Sequence, residues 1–134
     1  MGLDQYAYRV KMANVKDDFD FEHGQYDNAT GMDNLGNDMD FDYWRKFYPL
    51  DDWMRGIYSA KGGTGNFNCN PVRLTEEDLD NLHTAAQSLD FYAAGYYNDP
   101  QKEKEEEYSH LMNFIAKAKQ AIDEGDAVYY DNWW

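Results

Sequence analysis

Carboxylates are the most abundant groups in this chain that could do chemistry, and they are unevenly placed. No Lys or Arg occurs between positions 17 and 44. That stretch contains nine acidic residues, namely Asp17, Asp18, Asp20, Glu22, Asp27, Asp33, Asp38, Asp40 and Asp42. Carboxylates grouped in this way can bind a cation or form an acidic surface for a partner, and they can also belong to a solvated loop.

The EF-hand pattern tests whether this stretch is a calcium site. The pattern requires acidic or Asn residues at its first, third and fifth positions, Gly at the sixth and Glu at the twelfth. Counting from Asp33 places Leu35 third, and counting from Asp27 places Ala29 third. Neither register fits, so we expect no metal site here.

No catalytic motif is complete in the sequence. His23, His83 and His110 are scattered, and the two helical ones lack a partner at i+4 that a zinc pair needs. Cys69 is the only cysteine, and it is interpreted either as a buried, unreactive strand residue or as a nucleophile paired with a distant His. The glycine-rich run at 62–65 lacks the lysine of a phosphate-binding loop and predicts a turn. We therefore expect no cofactor, and a binding protein rather than an enzyme.

Aromatic residues make up 17% of the chain and are dense near Arg45 and at the C-terminus. An arginine beside Tyr and Trp can stack on a planar ligand or hold an anion, or it can bridge the acids upstream. The terminal rings can form a recognition surface or fill the core of a strand buried on both faces. The candidate ligand-binding residues are Tyr43, Trp44, Arg45, Trp53, Tyr129, Tyr130, Trp133 and Trp134.

Composition limits the partners that this chain can have. The 134 residues include 12 Lys plus Arg and 26 Asp plus Glu, which gives a formal net charge of −14. Such a polyanion is a poor direct binder of nucleic acid, because phosphate contacts need basic residues. No apolar run is long enough to span a bilayer and no signal peptide is evident, so we expect an intracellular protein without a membrane partner.

Hydrophobic patterning predicts an α+β fold in one domain, residues 1–134. We expect a small single sheet of about four short strands, with three or four helices mainly on one face. An acidic loop is expected at about 12–38. The predicted strands are 5–10 (with Tyr6, Tyr8 and Val10 buried), 67–74, 91–97 and 127–134. The predicted helices are 40–47, 50–60, one that follows a capping box at Thr75–Asp78, and 103–124 with Gly125 as its C-cap.

Several blocks resemble a family of small bacteriophage proteins that has no established activity. The likeness lies in Met1-Gly2-Leu3-Asp4-x-Tyr6, Tyr43-Trp44-Arg45-Lys46 with Trp53-Met54, the block from Phe67 to Leu79, Phe114 to Ala118, and the terminal Val128-Tyr129-Tyr130-x-x-Trp133-Trp134. Some relatives carry a phosphoglycerate kinase label, which we do not transfer, because this chain is too short for that two-domain enzyme. The resemblance implies a viral accessory protein in the cytoplasm of an infected bacterial host.

The leading hypothesis is a non-enzymatic acidic protein that engages or inhibits a host macromolecule. Its carboxylates could imitate the phosphates of DNA and occupy a basic, nucleic-acid-binding cleft on a host protein. The alternative is a small-molecule or nucleotide-binding protein with an aromatic and arginine pocket.

Overall fold

The computed structural model describes residues 2–93 and 99–134, and the strands and helices below lie in these ranges. The strands are β1 (Asp4–Val10), β2 (Val15–Asp17), β3 (Asp20–Phe21), β4 (Asp38–Arg45), β5 (Val72–Leu74) and β6 (Ala127–Trp133). The α-helices are α1 (Tyr48–Ala60), α2 (Glu76–Ala85), α3 (Leu89–Tyr92) and α4 (Pro100–Asp123), and a 3-10 turn spans Met12–Asn14. The main sheet is antiparallel in the order β4-β1-β6-β5, and β2 pairs with β3 as a separate hairpin. The predicted α+β class is confirmed.

The helices pack on one face of the main sheet and the hairpin lies on the other. On the helix-covered face, Ala7, Trp44 and Tyr130 join a core with apolar residues of α1, α2 and α4. On the opposite face, Phe21 of the hairpin packs with Val10 and Tyr129. The hairpin covers only part of this second face, so the rest of it reaches solvent.

The burial predicted for β1 is wrong at two of three positions. Val10 is buried, but Tyr6 and Tyr8 are only half-buried, whereas Gln5 and Ala7 are fully buried. Alternation along a strand sets which residues share a face, but it does not decide which face is covered. The larger rings of β1 lie on the side that the helices leave free.

The helix predicted at 40–47 is wrong, because this segment is the edge strand β4. Asp38 to Tyr43 alternates acidic and apolar residues with a period of two, which is a strand pattern. β4 pairs antiparallel with β1, and the register is irregular between Ala7 and Arg9. Pro49 does not end a helix there. It lies in the first turn of α1, where the missing amide hydrogen costs little.

Asp33 orders the segment that the sequence presents as an acidic loop. Residues 15–21 form the hairpin, while residues 22–37 contain no strand of the main sheet. The carboxylate of Asp33 is buried and accepts hydrogen bonds from the backbone amides of Gly24, Leu35 and Asn37, each at 2.9 Å. Burial acts to raise the pKa of Asp33, but these bonds together outweigh it and lower the pKa. The segment is therefore folded around an ionised side chain.

The remaining predicted elements agree in place more than in extent. The capping box is confirmed, with Asp78 N donating to Thr75 Oγ1 at 3.2 Å and Thr75 N donating to Asp78 Oδ2 at 2.8 Å. Gly125, just after the end of α4, has the positive φ expected of a C-terminal glycine.

Two predicted strands differ from the structure. The strand at 67–74 shortens to β5, because residues 67–71 form no strand. The strand at 91–97 is wrong at Phe91 and Tyr92, which end α3, and residues 94–98 lie outside the described residues. In the described part of the chain, no helix has the length and apolar character needed to cross a bilayer.

Candidate functional site

The uncovered part of the sheet carries a patch of aromatic and charged side chains that we name the open sheet face. It consists of Asp4, Tyr6, Tyr43, Arg45 and Trp133. In the register of the sheet, Asp4 lies opposite both Arg45 and Trp133, and Tyr6 lies opposite Tyr43. Five side chains from β4, β1 and β6 therefore stand side by side.

Two rings of the open sheet face are strongly exposed. Trp133 has 62% of its surface exposed and Tyr43 has 46%. The rings of Tyr6 and Tyr43 are 5.4 Å apart, and the Tyr43 hydroxyl donates a 2.6 Å hydrogen bond to Asp4 Oδ1. These contacts hold the Tyr43 ring in place while leaving nearly half of its surface exposed.

Three of the predicted ligand-binding residues come together at one end of this patch. Arg45, Trp133 and Trp134 line a shallow cleft of about 340 Å³ with Gly2 and Asp4. Arg45 is exposed and forms no ion pair with another described residue, so the predicted bridge to the acids upstream of it is not formed there. The guanidinium is thus available to a ligand or partner.

The other predicted ligand-binding residues are placed differently. Trp44, Tyr129 and Tyr130 are at most 2% exposed and fill the core, so the prediction that they contact a ligand is corrected. Trp53 lies on α1 and packs against the core on the helix-covered side. The alternating pattern of β6 predicts which residues share a face, but the helices that bury one face come from distant sequence.

A buried polar network on the helix-covered face was missed by sequence reasoning. Asp51 is fully buried, and its Oδ1 accepts 2.7 Å hydrogen bonds from the Tyr130 hydroxyl and from Asn132 Nδ2. Gln5 Nε2 donates to the Tyr130 hydroxyl oxygen at 3.0 Å. Burial raises the pKa of Asp51, and the bonds from Tyr130 and Asn132 act in the opposite direction. A buried network with its partners satisfied fixes the packing of α1 on the sheet.

A second cleft of about 400 Å³, which we name the hairpin cleft, adjoins the open sheet face. It is lined by Tyr8, Asp20, Phe21, His23, Met39, Cys69, Pro71 and Asp131. The Phe21 ring meets the Tyr8 ring at 5.8 Å and the His23 ring at 6.0 Å, both edge to face. The Tyr8 hydroxyl donates to Asp131 Oδ2 at 3.0 Å. Aromatic surface and carboxylate oxygens therefore share one concave site.

The interpretation of Cys69 as a buried strand residue is wrong. Cys69 is exposed and precedes β5, with a φ of 59° that is unusual for a residue other than glycine. Partial desolvation and the negative charge of Asp131 raise the pKa of its thiol. A raised pKa keeps the thiol protonated, which argues against the alternative that Cys69 is an activated nucleophile.

The nine acids of the candidate partner surface divide into two with structural contacts, two that are half-buried and five that are exposed. Asp33 orders the loop, and Asp42 binds His110 Nε2 at 2.7 Å and Lys117 Nζ at 3.3 Å. Asp18 and Asp38 are half-buried. The exposed acids are Asp17, Asp20, Glu22, Asp27 and Asp40. Their carboxylates remain available for long-range attraction of a cationic partner.

A third cleft, of about 450 Å³, combines Arg55 with Trp134. Tyr58, Phe67 and the loop at 65–68 complete much of its lining. Arg55 contacts Asp51 and Asp52, each at 3.4 Å. Aromatic rings and an arginine therefore line this cleft as well as the shallower cleft of Arg45, and Trp134 contributes to both.

Comparison of the chain with family models, with curated proteins and with solved structures finds no match. Among the described residues, no group of three or more His, Cys, Asp or Glu side chains is placed to hold a metal ion. The features of this surface that can bind a ligand or partner are the open sheet face, the hairpin cleft, the exposed acids and the cleft of Arg55 and Trp134.

Proposed function

We propose that this chain is a non-enzymatic binding protein that engages a basic partner protein through the open sheet face. The observation that carries the proposal is the exposure of Trp133 on β6 and Tyr43 on β4, the two strands that flank β1, beside Arg45, which forms no ion pair with another described residue. Trp, Tyr and Arg are the residue types that contribute most to protein interfaces. Their grouping on one rigid sheet supplies contact area at a low entropic cost.

The charge of the molecule favours a basic partner. With a net charge of −14, the chain repels nucleic acid and attracts proteins that bind it. The exposed acids between Asp17 and Asp40 can occupy a cleft that normally holds phosphates. The resemblance to phage proteins makes a nucleic-acid-binding protein in the cytoplasm of an infected bacterial host the expected partner.

Affinity capture from a bacterial lysate, with variants matched for exposed apolar surface, tests the proposal. The face variant is Tyr43→Ala with Trp133→Ala. The control is Met12→Ala with Leu89→Ala, which removes residues that are each 47% exposed and lie outside the open sheet face. We expect wild type and control to retain the same basic protein, and the face variant to lose at least about 90% of it, because hot-spot truncations cost about 2 kcal/mol or more. Equal retention by both double variants contradicts the proposal.

Competition with duplex DNA tests the mimicry part separately. Binding is repeated with the purified partner over a range of salt and DNA concentrations. If carboxylates occupy the nucleic-acid site, DNA and the protein exclude each other and affinity falls steeply with salt. A ternary complex would place the partner contact outside that site and leave only the aromatic interface.

Nucleotide binding is the second candidate function, and the Arg55–Trp134 cleft favours it. Its arginine can hold an anionic group while Trp134 stacks on a base. A ligand at 100 times its Kd stabilises the folded state by about 2.7 kcal/mol, which a thermal-shift screen detects. We expect any shift by a nucleotide to be lost in Arg55→Ala, with Arg45→Ala as the matched control. Nucleotide binding is excluded if no nucleotide raises the melting temperature of the wild type.

A further inference from the structure

We propose that the hairpin cleft binds one cationic side chain, an arginine or lysine, of the partner protein. This inference rests on the proposed function, because the cleft adjoins the open sheet face and would receive a residue from the same partner. The shared feature is β6, which contributes Trp133 to the face and Asp131 to the cleft. A partner that covers the exposed rings therefore has a concave, acidic site beside it.

The walls of the cleft suit a cation. Tyr8, Phe21 and His23 present three rings in edge-to-face contact, and the faces of tyrosine and phenylalanine rings attract ammonium or guanidinium groups. Met39 adds a polarizable wall. Among the described residues, Asp20 and Asp131 are the acids of the lining, and neither Lys nor Arg belongs to it.

Asp131 is the carboxylate for which a bound cation would supply the counter-charge. Its Oδ2 accepts from the Tyr8 hydroxyl at 3.0 Å, and its Oδ1 accepts from the Asn132 amide at 2.8 Å. No cationic side chain among the described residues pairs with it. Burial raises the pKa of Asp131, and the bonds from Tyr8 and Asn132 only partly oppose this effect. A half-buried carboxylate without a counter-charge gains more from a bound cation than an exposed one does.

The size and charge of the cleft select the ligand class. About 400 Å³ lies near the small end of the range for ligand sites, which fits a single side chain. Anionic groups such as phosphates are repelled by both carboxylates. Asp20 contacts Lys16 at 3.7 Å on the exposed surface, so Asp131 is the main counter-charge.

NMR titration with N-acetylarginine amide tests the cleft without needing the partner. We expect saturable shifts at the backbone amides of Tyr8 and Asn132, and no such shifts with the neutral citrulline analogue. Asp131→Asn keeps a carbonyl oxygen that can accept from the Asn132 backbone amide, while its Nδ2 can donate to the Tyr8 hydroxyl oxygen. The variant removes the charge and should weaken binding by roughly tenfold. Asp123→Asn makes the same charge change at the exposed end of α4, across the sheet from the cleft, and should leave binding unchanged.

Three outcomes overturn the inference. The first is an equal response to the arginine and citrulline compounds, and the second is unchanged binding by Asp131→Asn. The third is much tighter binding of spermidine than of an arginine-containing peptide, which would assign the cleft to a free polyamine. Asp20→Asn, which removes the other negative charge of the lining from an exposed position, should weaken binding by a few-fold and serves if Asp131→Asn fails to fold.

Capture of the partner separates this inference from the proposed function. If the Asp131→Asn variant captures the partner as well as the wild type does, the cleft is not used and the open sheet face stands alone. If arginine binds the cleft but no partner depends on Tyr43 and Trp133, the proposed function fails while the cation site remains.

Discussion

The two faces of the main sheet use the same residue types for opposite purposes. On the helix-covered face, Trp44 and Tyr130 are at most 2% exposed, and the Tyr130 hydroxyl is bonded within a buried network. On the other side, Trp133 and Tyr43 leave much of their rings in solvent. Each pair consists of one Trp and one Tyr from β4 and β6. Residue type therefore does not distinguish core from candidate interface in this protein, but the covering helices do.

The comparison shows where function should be sought. Buried polar side chains on the helix-covered face are bonded within the fold, as in the contacts of Asp51 with Tyr130 and Asn132, with the Trp44 indole N–H as the one buried exception among the described residues. On the uncovered side, Arg45 and Asp131 lack a charged partner among the described residues. Since unpaired charge and exposed rings are groups that a partner can bind, the uncovered side is the better candidate for recognition.

The largest expected contrast comes from the two tryptophans. Trp44→Ala removes a ring that packs on Phe114 at 4.9 Å and on His110 at 5.1 Å, and it should destabilise by about 3–5 kcal/mol. Trp133→Ala removes a mostly solvated ring and should cost less than about 1 kcal/mol. Urea unfolding measures both. A comparable loss for the two variants would mean that the open sheet face is part of the core.

The two tyrosines give a smaller contrast of the same kind. Tyr130→Phe leaves Gln5 without one acceptor and Asp51 without one donor inside the protein, and it should cost about 1.5–3 kcal/mol. Tyr43→Phe loses its bond to Asp4 at the surface, where water replaces it, and should cost less than about 0.5 kcal/mol. Matched unfolding curves provide the measurement. If Tyr130→Phe proved neutral, the buried network would not hold α1 on the sheet.

The sequence predicts the fold class and the stronger helices because these depend on local patterns. The capping box at Thr75 and the glycine after α4 are local features, and both are confirmed. The segment of β4 has acids at its start and bases at its end, which is the charge pattern that a helix dipole favours, so the helix prediction is wrong there. Its alternation with a period of two is the strand signal. The strand becomes certain only from its pairing with β1.

The candidate site was predictable in part. The density of Tyr, Trp and Arg singled out Tyr43, Arg45 and Trp133, which the open sheet face does bring together. The hairpin cleft was not predictable, because it joins β1, the hairpin, β4, the segment before β5, and β6 through contacts far apart in sequence. The network around Asp51 was missed for the same reason. One signal for this network is present in the sequence, because Asp51 interrupts the apolar face of α1 that Leu50, Met54 and Tyr58 form.

Glu103 of α4 is a half-buried carboxylate beside like charges, which gives a pH prediction. Burial, with the negative charges of Glu107 and Glu106, raises the pKa of Glu103 from 4.5 to about 7. The folded state thus holds this proton more tightly than the unfolded chain does. Its contribution to stability is present below pH 4.5 and is lost as the pH rises through about 7.

Glu103→Gln should therefore be more stable than the wild type at pH 7.5 and equal to it near pH 4.5. Urea unfolding at a series of pH values measures the difference. Glu105→Gln removes a charge from an exposed neighbour on α4 and serves as the control, and the stabilisation at pH 7.5 should be larger for Glu103→Gln. A Glu103→Gln curve parallel to that of the wild type would show that this side chain is solvated.

The smallest expected effect is on the uncovered side of the sheet. Cys69 can report the electrostatic potential there, through its rates of chemical modification. Cys69 lines the hairpin cleft with Asp131. Methanethiosulfonates carrying either a trimethylammonium or a sulfonate group modify the thiol when its thiolate attacks the reagent sulfur and a sulfinate leaves. The ratio of the cationic to the anionic rate reports the local potential, because thiol ionisation affects both rates equally. We expect a ratio well above one.

Asp131→Asn should lower this ratio about two- to fivefold, since a charge within the cleft is poorly screened by solvent. Asp123→Asn changes the net charge by the same amount at the exposed end of α4, across the sheet from the cleft, and should leave the ratio nearly unchanged. If both variants lower the ratio equally, the preference reflects the charge of the whole protein rather than the cleft. The uncovered side would then be acidic only on average, and the aromatic rings of the open sheet face would be its specific feature.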